Sequence, residues 1–304
     1  MPAADWPPSK PFAMSTSHTD PALDPATRRI DAGSAWTTPG VPSRGGEPGG
    51  PDLEFRWTPG SDPRTPAEVA RFFHSPAIEV LKERICEIGR RLWQREYTDG
   101  NGGNLTIRVG DNLALCTPTM MSKGFMTPAD LCLVDLDGQQ LAGVRRRTSE
   151  VLTHFGIMKR QPLAKACVHA HPPHATAFAI ANVEIPRPLI PEAEVFLGKI
   201  GVARYHTPGT AAIADEVGEV GRTHQAVLMI NHGVLCWGSH VEDAYWKVEN
   251  IDAYCRMVWI ATGLGGGFRH ISAAQAQELL ELRRQFGVPD LDAAEVRDDR
   301  SQPG

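Results

Sequence analysis

The chain has 304 residues, enough for one large domain or two modest ones, and 41% of them are hydrophobic. Its formal net charge of −5 and its isoelectric point near 6.1 indicate a soluble, mildly acidic protein. The sequence has no basic stripe typical of nucleic-acid binding, no run of roughly 18 apolar residues that could span a membrane, and no secretory signal pattern. We therefore expect a cytoplasmic protein that binds neither nucleic acid nor membrane. The six cysteines form no Cys-x-x-Cys pair and lie in apolar contexts, so we expect reduced, buried thiols.

Composition divides the chain into three parts. Residues 1–62 are rich in Pro, Gly, Ser, Thr and Asp and show no sustained apolar periodicity. Such a segment has too little apolar surface to bury, so we predict a disordered or extended N-terminal arm. Residues 63–287 carry regular apolar patterns and are predicted to form the folded domain. Residues 288–304 are predicted to form a C-terminal tail.

The folded domain is predicted to begin with a helix and a group of short strands. Ser75 and Pro76 are typical of a helix start, and apolar residues then recur at helical spacing to about Tyr97. A turn is expected at Asp137-Gly138. Alternating apolar residues predict strands over 105–109, 113–117 and 131–135. Because the connections are short, we expect these strands to pair antiparallel.

Helices and strands alternate in the second half of the domain. Residues 148–150 are predicted to cap a helix, and Ser239 with Glu242 is predicted to form a capping box at the start of a long one. The other predicted elements are strands over 165–171 and 226–230, a short strand ending at 237, and helices over 174–182, 210–224 and 272–286.

Two of the predicted strands end in histidine. The first ends in His169-Ala170-His171, and side chains alternate along a strand, so the two imidazoles lie on one face at a spacing that can bind one ion. The second ends in His232, directly before a glycine. Taken alone, the His169–His171 pair is more often explained by surface or core positions, and His232 by a structural hydrogen bond, than by metal binding. Three neutral imidazoles from two strand ends would instead form an open metal site, with a position left for water or substrate.

Five short stretches between about residues 75 and 262 form a specific pattern through their order and separations. They are Gly103-Asn104-Leu105-Thr106, Thr117-Pro118-Thr119, Thr148-Ser149-Glu150, His169-Ala170-His171 and Asn231-His232-Gly233. In these stretches the chain resembles the class II aldolase/adducin-like family, which includes fuculose-phosphate aldolase and ribulose-phosphate 4-epimerase. The resemblance implies an α/β fold, a three-layer α/β/α arrangement around a central, mostly antiparallel mixed sheet. It also implies that residues 63–287 are a catalytic domain.

The resemblance assigns roles to individual residues. It implies that His169, His171 and His232 bind Zn²⁺ or another divalent metal. It implies that Glu150 is the catalytic acid/base, which moves a proton next to a ketone while the metal stabilises the enediolate. From the sequence alone, Glu150 would be interpreted as a first-turn glutamate favoured by the helix dipole. The resemblance further implies that polar loop residues bind an anion, usually a substrate phosphate: Asn104, Thr119, Thr148 and Ser149.

The sequence departs from the family pattern at two places. Met120 stands where relatives usually carry glycine, so its side chain could crowd a phosphate. Lys123 could compensate, but we expect it to be an exposed loop residue. Fuculose-phosphate aldolase uses a tyrosine to protonate the leaving aldehyde, and residues 189–192 contain none. Glu192 or Glu194 is an alternative acid, and a surface or interface position for one of them is the preferred interpretation.

These residues predict a metal-dependent lyase that reversibly cleaves a ketose, preferably a ketose 1-phosphate, into a dihydroxyacetone-type product and an aldehyde. A sugar-phosphate 4-epimerase, dehydratase or decarboxylase on the same scaffold remains an alternative, because all use the same enediolate. A non-enzymatic adducin-like assembly module is an alternative of another class, but it would not need the three histidines and Glu150. Amidohydrolases also use His-x-His, but near the start of a barrel. The resemblance implies a homotetramer that takes a small-molecule sugar or sugar phosphate.

Overall fold

The computed structural model describes residues 53–291, which form seven α-helices and eight strands. The helices are α1 (Pro66–Phe73), α2 (Pro76–Gln94), α3 (Val151–Arg160), α4 (Pro173–Ala181), α5 (Ala211–Thr223), α6 (Val241–Gly263) and α7 (Ala273–Gln285). The strands are β1 (Asn104–Arg108), β2 (Leu113–Cys116), β3 (Cys132–Asp135), β4 (Gln140–Ala142), β5 (Ala166–Ala170), β6 (Ile200–Ala203), β7 (Ala226–Met229) and β8 (Gly233–Gly238). Most of the predicted arm, residues 1–52, and of the predicted tail, residues 292–304, lie outside the described residues.

All eight strands belong to one sheet, in the order β4-β3-β2-β1-β5-β8-β7-β6. Every neighbouring pair is antiparallel except β6 and β7, which are parallel. The predicted mixed, mostly antiparallel sheet is therefore confirmed. Strand β6 was not predicted, and neither was the π-helical turn at Ala193–Leu197 that precedes it.

Helices cover both faces of the sheet, which gives the predicted three layers. Alternation along β5 shows the division: Ala166, Val168 and Ala170 face the core shared with α2, α4 and α6. Cys167 faces the core shared with α3 and α5. His169 has the parity of Cys167 and so belongs to the α3 face. Each large apolar side chain fully buried in these cores contributes about 1.5–3 kcal/mol of transfer free energy.

Two helix starts differ from the predicted caps. The N-cap of α6 is His240, whose ring nitrogen accepts from the backbone N–H of Asp243, so the predicted capping box of Ser239 and Glu242 is wrong. Glu242 instead accepts from the guanidinium Nε of Arg84 at 2.7 Å. The N-cap of α3 is Glu150, but its carboxylate does not cap the helix and is available for other contacts.

An extended segment before α1 packs against the turn between β1 and β2. The indole N–H of Trp57 donates to Asp111 at 2.8 Å, and the carboxylate of Asp62 accepts from the backbone N–H groups of Asp111 and Asn112.

The six cysteines are all reduced and buried, as predicted. Among residues 53–291, no helix combines the length and the apolarity that crossing a bilayer requires.

Helices α3 and α5 meet through glycine. A Cβ atom added to Gly156 of α3 would lie 2.1 Å from the carbonyl oxygen of Ala214, and one added to Gly218 of α5 would lie 2.6 Å from the carbonyl oxygen of Gly156. Both neighbours are backbone atoms, which cannot rotate away as a side chain could. The close approach of the two helices on the α3 face therefore depends on these glycines.

We expect Gly156→Ala to lower the free energy of unfolding by about 1–3 kcal/mol, because the added methyl group overpacks a backbone contact. Gly263→Ala is the matched control, since it adds a methyl group at the end of α6, where no atom lies within 4 Å. The control should leave stability unchanged or raise it by up to about 1 kcal/mol. Urea denaturation measures both values, and equal effects of the two substitutions would contradict the close approach.

Candidate metal centre

Antiparallel pairing between β5 and β8 brings the three predicted histidines together. Ala170, the last residue of β5, pairs with Val234 near the start of β8, so the residues just beyond each strand end are also neighbours. His171 follows β5, and His232 precedes β8. Gly233 permits this approach, because a Cβ atom there would lie 2.6 Å from the carbonyl oxygen of Ala170.

The imidazoles form a compact cluster. Each histidine offers one nitrogen, and these three nitrogens lie within 4.8 Å of one another. The Nε2 atoms of His169 and His171 are 3.2 Å apart. A tetrahedral ion with metal–nitrogen bonds of 2.0–2.1 Å has nitrogen–nitrogen edges of about 3.3–3.4 Å. The distance between His169 and His171 therefore matches one edge of a zinc site.

Hydrogen bonds fix which nitrogen carries the proton in two of the three rings. The Nδ1 atom of His169 lies 2.8 Å from the carbonyl oxygen of Val234, which can only accept, so Nδ1 is protonated and Nε2 carries a lone pair. The Nδ1 atom of His171 bonds in the same way to the carboxylate of Asp99 at 2.7 Å. Two lone pairs thus face each other across 3.2 Å, an arrangement that a cation between them would stabilise.

Burial favours the neutral form of His169 and His232, which is the form that binds metal. It lowers the pKa of His169 well below its ordinary value, and the nearby rings of His232 and His171 lower it further. Burial also lowers the pKa of His232, although the negative charge of Glu150 raises it in part. The Nδ1 atom of His232 is buried and has no hydrogen-bond partner among the described residues. The residues present fit a divalent metal.

The carboxylate of Glu150 lies beside the histidines and does not cap α3. Its carboxylate oxygens are 3.3 Å from Nε2 of His232 and 3.6 Å from Nε2 of His169. Asn104, which pairs with His169 across β1 and β5, donates its amide N–H to Glu150 at 2.8 Å. A carboxylate held by an amide and facing three imidazoles could bind a metal or move a proton nearby.

The predicted anion-binding residues lie on adjoining backbone segments. Thr117 bridges β1 to the segment before α3: its N–H donates to the carbonyl of Leu105, and its carbonyl accepts from Thr148. Thr119 donates its N–H to the carbonyl of Arg146, and so lies beside the same segment. Ser149 is exposed, next to Glu150. Asn104, Thr119, Thr148 and Ser149 are thus close to the histidines in the fold, and their binding of an anion stays a prediction.

The structure shows the positions of Lys123 and Met120, the two residues of the predicted phosphate loop that the sequence singled out. Lys123 is 1% exposed, so the prediction of an exposed loop lysine is wrong: the turn at Lys123–Phe125 packs against α2 and covers the side chain. Met120 has φ of 55°, in the left-handed region that glycine adopts most readily. Its side chain is 80% exposed and therefore projects from the loop.

The other candidate acid groups have structural partners or face solvent. Glu194 is buried and lies 2.6 Å from the guanidinium of Arg187, while Glu192 is exposed. The ring of His174 contacts Asp252 at 3.1 Å, and the same carboxylate accepts the N–H groups at the start of α4. The backbone carbonyl of Tyr97 accepts the N–H of His171, which ties the segment after α2 to the metal cluster.

Sequence reasoning missed one polar residue of the site, Asp99, which orients His171. Asp99 begins the Asp-Gly-Asn-Gly-Gly turn, and turns of this composition carry aspartate for purely local reasons.

A cavity of about 350 Å³ lies at the other end of β5, lined by Lys165, Trp237 and Trp246 among others, and is separate from the histidines. We assign the candidate site to the histidines, because the cavity lacks a comparable cluster of metal-binding groups.

Several known proteins are similar to this chain. Residues 83–259 match the Class II Aldolase and Adducin N-terminal domain. The chain is 35% identical over 176 residues to L-fuculose phosphate aldolase of Methanocaldococcus jannaschii, covering 58% of this chain and 94% of that protein. It is 32% identical over 202 residues to 3-oxo-tetronate 4-phosphate decarboxylase of Haemophilus influenzae, covering 65% and 95%. The crystal structure of YgbL from Escherichia coli superposes with a TM-score of 0.62 at 29% identity, covering 66% of this chain and 98% of that one.

We expect His169→Ala and His232→Ala to abolish stoichiometric Zn²⁺ binding, because each removes one of three imidazoles. Asp99→Asn should weaken Zn²⁺ binding by about 10–100-fold, since it removes only the carboxylate that orients His171. His206→Ala is the control, because its imidazole faces Glu216 at 3.8 Å instead of the cluster. Elemental analysis after dialysis against Zn²⁺, with circular dichroism to verify folding, measures these effects. Full zinc content in both alanine variants would contradict the ligand assignment.

Proposed function

Because this chain belongs to the class II aldolase and adducin family, we propose that it is a metal-dependent carbon–carbon lyase acting on a sugar phosphate. The reaction we favour is reversible aldol cleavage of a ketose 1-phosphate to a dihydroxyacetone-type product and an aldehyde. The observation that carries the proposal is the convergence of His169, His171 and His232 on one point, with the Glu150 carboxylate within 3.3–3.6 Å of two of them. An assembly module would have no use for this arrangement.

A divalent metal held by the three imidazoles would polarise the substrate ketone and stabilise negative charge on its oxygens. Zn²⁺ is our proposal, since three histidines with an open position are typical of catalytic zinc. In the cleavage direction the hydroxyl group beyond the scissile bond loses its proton and becomes the aldehyde, while the carbon–carbon bond breaks and its electron pair passes to the ketone to give the enediolate of the dihydroxyacetone-type product. Glu150 then supplies a proton to the carbon, and in the synthetic direction it removes that proton.

The surroundings of Glu150 suit this role. Asn104 donates to the carboxylate and so orients it, while the side chain is 16% exposed and can reach an incoming substrate. We propose that Thr119, Thr148 and Ser149 bind the substrate phosphate through backbone N–H and hydroxyl groups, and that Asn104 contributes to the same site.

Decarboxylation of a sugar-acid phosphate is the second candidate. One of the relatives is named 3-oxo-tetronate 4-phosphate decarboxylase, and its alignment with this chain is longer than that of the aldolase. Aldol cleavage needs a second group to exchange a proton with the aldehyde oxygen, whereas loss of CO₂ needs only the acid that protonates the enediolate. Glu194, one candidate for that second group, is held by Arg187.

A parallel assay tests both reactions. The zinc-loaded protein is incubated with L-fuculose 1-phosphate, its unphosphorylated form and 3-oxo-tetronate 4-phosphate, and dihydroxyacetone phosphate, aldehyde and CO₂ are measured. Release of an aldehyde together with dihydroxyacetone phosphate from L-fuculose 1-phosphate supports the aldolase. Release of CO₂ together with dihydroxyacetone phosphate from 3-oxo-tetronate 4-phosphate, with no cleavage of the ketose, supports the decarboxylase. A cytoplasmic homotetramer is part of the same proposal, and size-exclusion chromatography with light scattering measures the assembly.

We expect Glu150→Gln to retain Zn²⁺ and to lower kcat by about 10²–10⁴-fold, because the amide keeps the shape of the side chain but cannot exchange the proton. Hydrogen–deuterium exchange at the carbon next to the ketone of dihydroxyacetone phosphate, followed by NMR, measures this step directly. Glu192→Gln is the control, since Glu192 is exposed. Unchanged exchange in Glu150→Gln would contradict its role as the acid/base.

A further inference from the structure

Three lysines in the described part of the chain are almost completely buried: Lys82, Lys123 and Lys247, each exposed by 2% or less. The ammonium group of Lys82 lies 2.8 Å from the carboxylate of Glu79, and that of Lys247 forms an ion pair with Asp243. Lys123 differs from both. Its ammonium group donates to two backbone carbonyls, and no carboxylate of residues 53–291 lies within ion-pair distance.

A buried ammonium group without a countercharge is costly, because two carbonyl dipoles replace only part of its hydration. Burial lowers the pKa of Lys123 to about 8, and the negative charge of Glu150 partly opposes this effect. Glu150 thus already acts on Lys123 from within the candidate site. A second negative charge brought to this site by a ligand would supply the missing compensation.

Lys123 joins the two loops that flank the histidines. Its Nζ atom is 2.9 Å from the carbonyl oxygen of Asn101 and 2.6 Å from that of Met121. Asn101 belongs to the turn that carries Asp99, the partner of His171. Met121 follows Thr119, which lies beside the segment that leads to Glu150. The positive charge is therefore fixed behind the loop on which we propose that the substrate phosphate binds.

We propose that Lys123 is a specificity-determining residue, whose buried positive charge favours substrates with a phosphate ester over their unphosphorylated counterparts. This role of Lys123 rests on the proposed function. In it, Lys123 supplies a positive charge to the phosphate site. The predicted anion-binding residues, Asn104, Thr119, Thr148 and Ser149, are all uncharged. Lys123 acts through the loop and its electric field, not through contact with the phosphate, because its side chain is buried.

Lys123→Met removes the charge and keeps a similar side-chain volume, although the side chain is one atom shorter. Lys123→Gln also removes the charge but retains N–H groups that can donate to the two carbonyls. Lys82→Met is the matched control, because it removes a buried ammonium group that already has a carboxylate partner. The probes are inorganic phosphate, dihydroxyacetone phosphate and dihydroxyacetone, each titrated into zinc-loaded protein by calorimetry.

Both Lys123 variants should bind inorganic phosphate and dihydroxyacetone phosphate more weakly, on the order of tenfold, while dihydroxyacetone binding and zinc content stay unchanged. The control should match the wild-type protein for all three probes. Unchanged phosphate affinity in the variants, or equal loss for dihydroxyacetone and dihydroxyacetone phosphate, would overturn the role of Lys123. A wild-type protein that binds no phosphate would also overturn it. Failure of the proposed lyase activity would be a separate result. In that case the wild-type protein would bind dihydroxyacetone phosphate but would turn over no ketose.

Discussion

The antiparallel pairing of β5 with β8 is the constraint on which the candidate site depends. The two strands are separated by more than sixty residues in the chain, and their register places the end of one beside the start of the other. Three imidazoles therefore converge because each lies on β5 or directly next to an end of β5 or β8. A shift of the register by one residue would turn His169 to the opposite face, into the core of α2, α4 and α6.

Each polar group around the histidines is held by another part of the fold. The carbonyl of Val234 and the carboxylate of Asp99 fix two imidazole tautomers, and Asn104 fixes Glu150. Burial keeps His169 and His232 neutral, so that they can bind a cation at neutral pH. Across the loops from this cluster lies Lys123, a buried cation. The site thus combines neutral metal-binding nitrogens with a fixed positive charge, an arrangement suited to an anionic oxygen-rich substrate.

Much of this arrangement could be predicted from the sequence. Strands that end in histidine, helices with regular apolar spacing and short antiparallel connections are all local patterns. Strand β6 escaped prediction because its four residues, Ile-Gly-Val-Ala, are too short and too even in polarity to show alternation. The burial of Lys123 escaped prediction because it arises when a polar turn packs on α2, which is a tertiary effect. Asp99 and the His240 cap likewise acquire their partners only in the folded chain.

X-ray absorption spectroscopy of the protein loaded with one equivalent of Zn²⁺ tests the central claim most directly. Three imidazoles from two chain segments should give a first shell of nitrogen and oxygen at about 2.0–2.1 Å, with the outer-shell scattering of three imidazole rings. All six cysteines are buried, and none of them belongs to this cluster, so they should not contribute sulfur. A zinc ion with sulfur neighbours, or with fewer than three imidazoles, would contradict the metal centre described here.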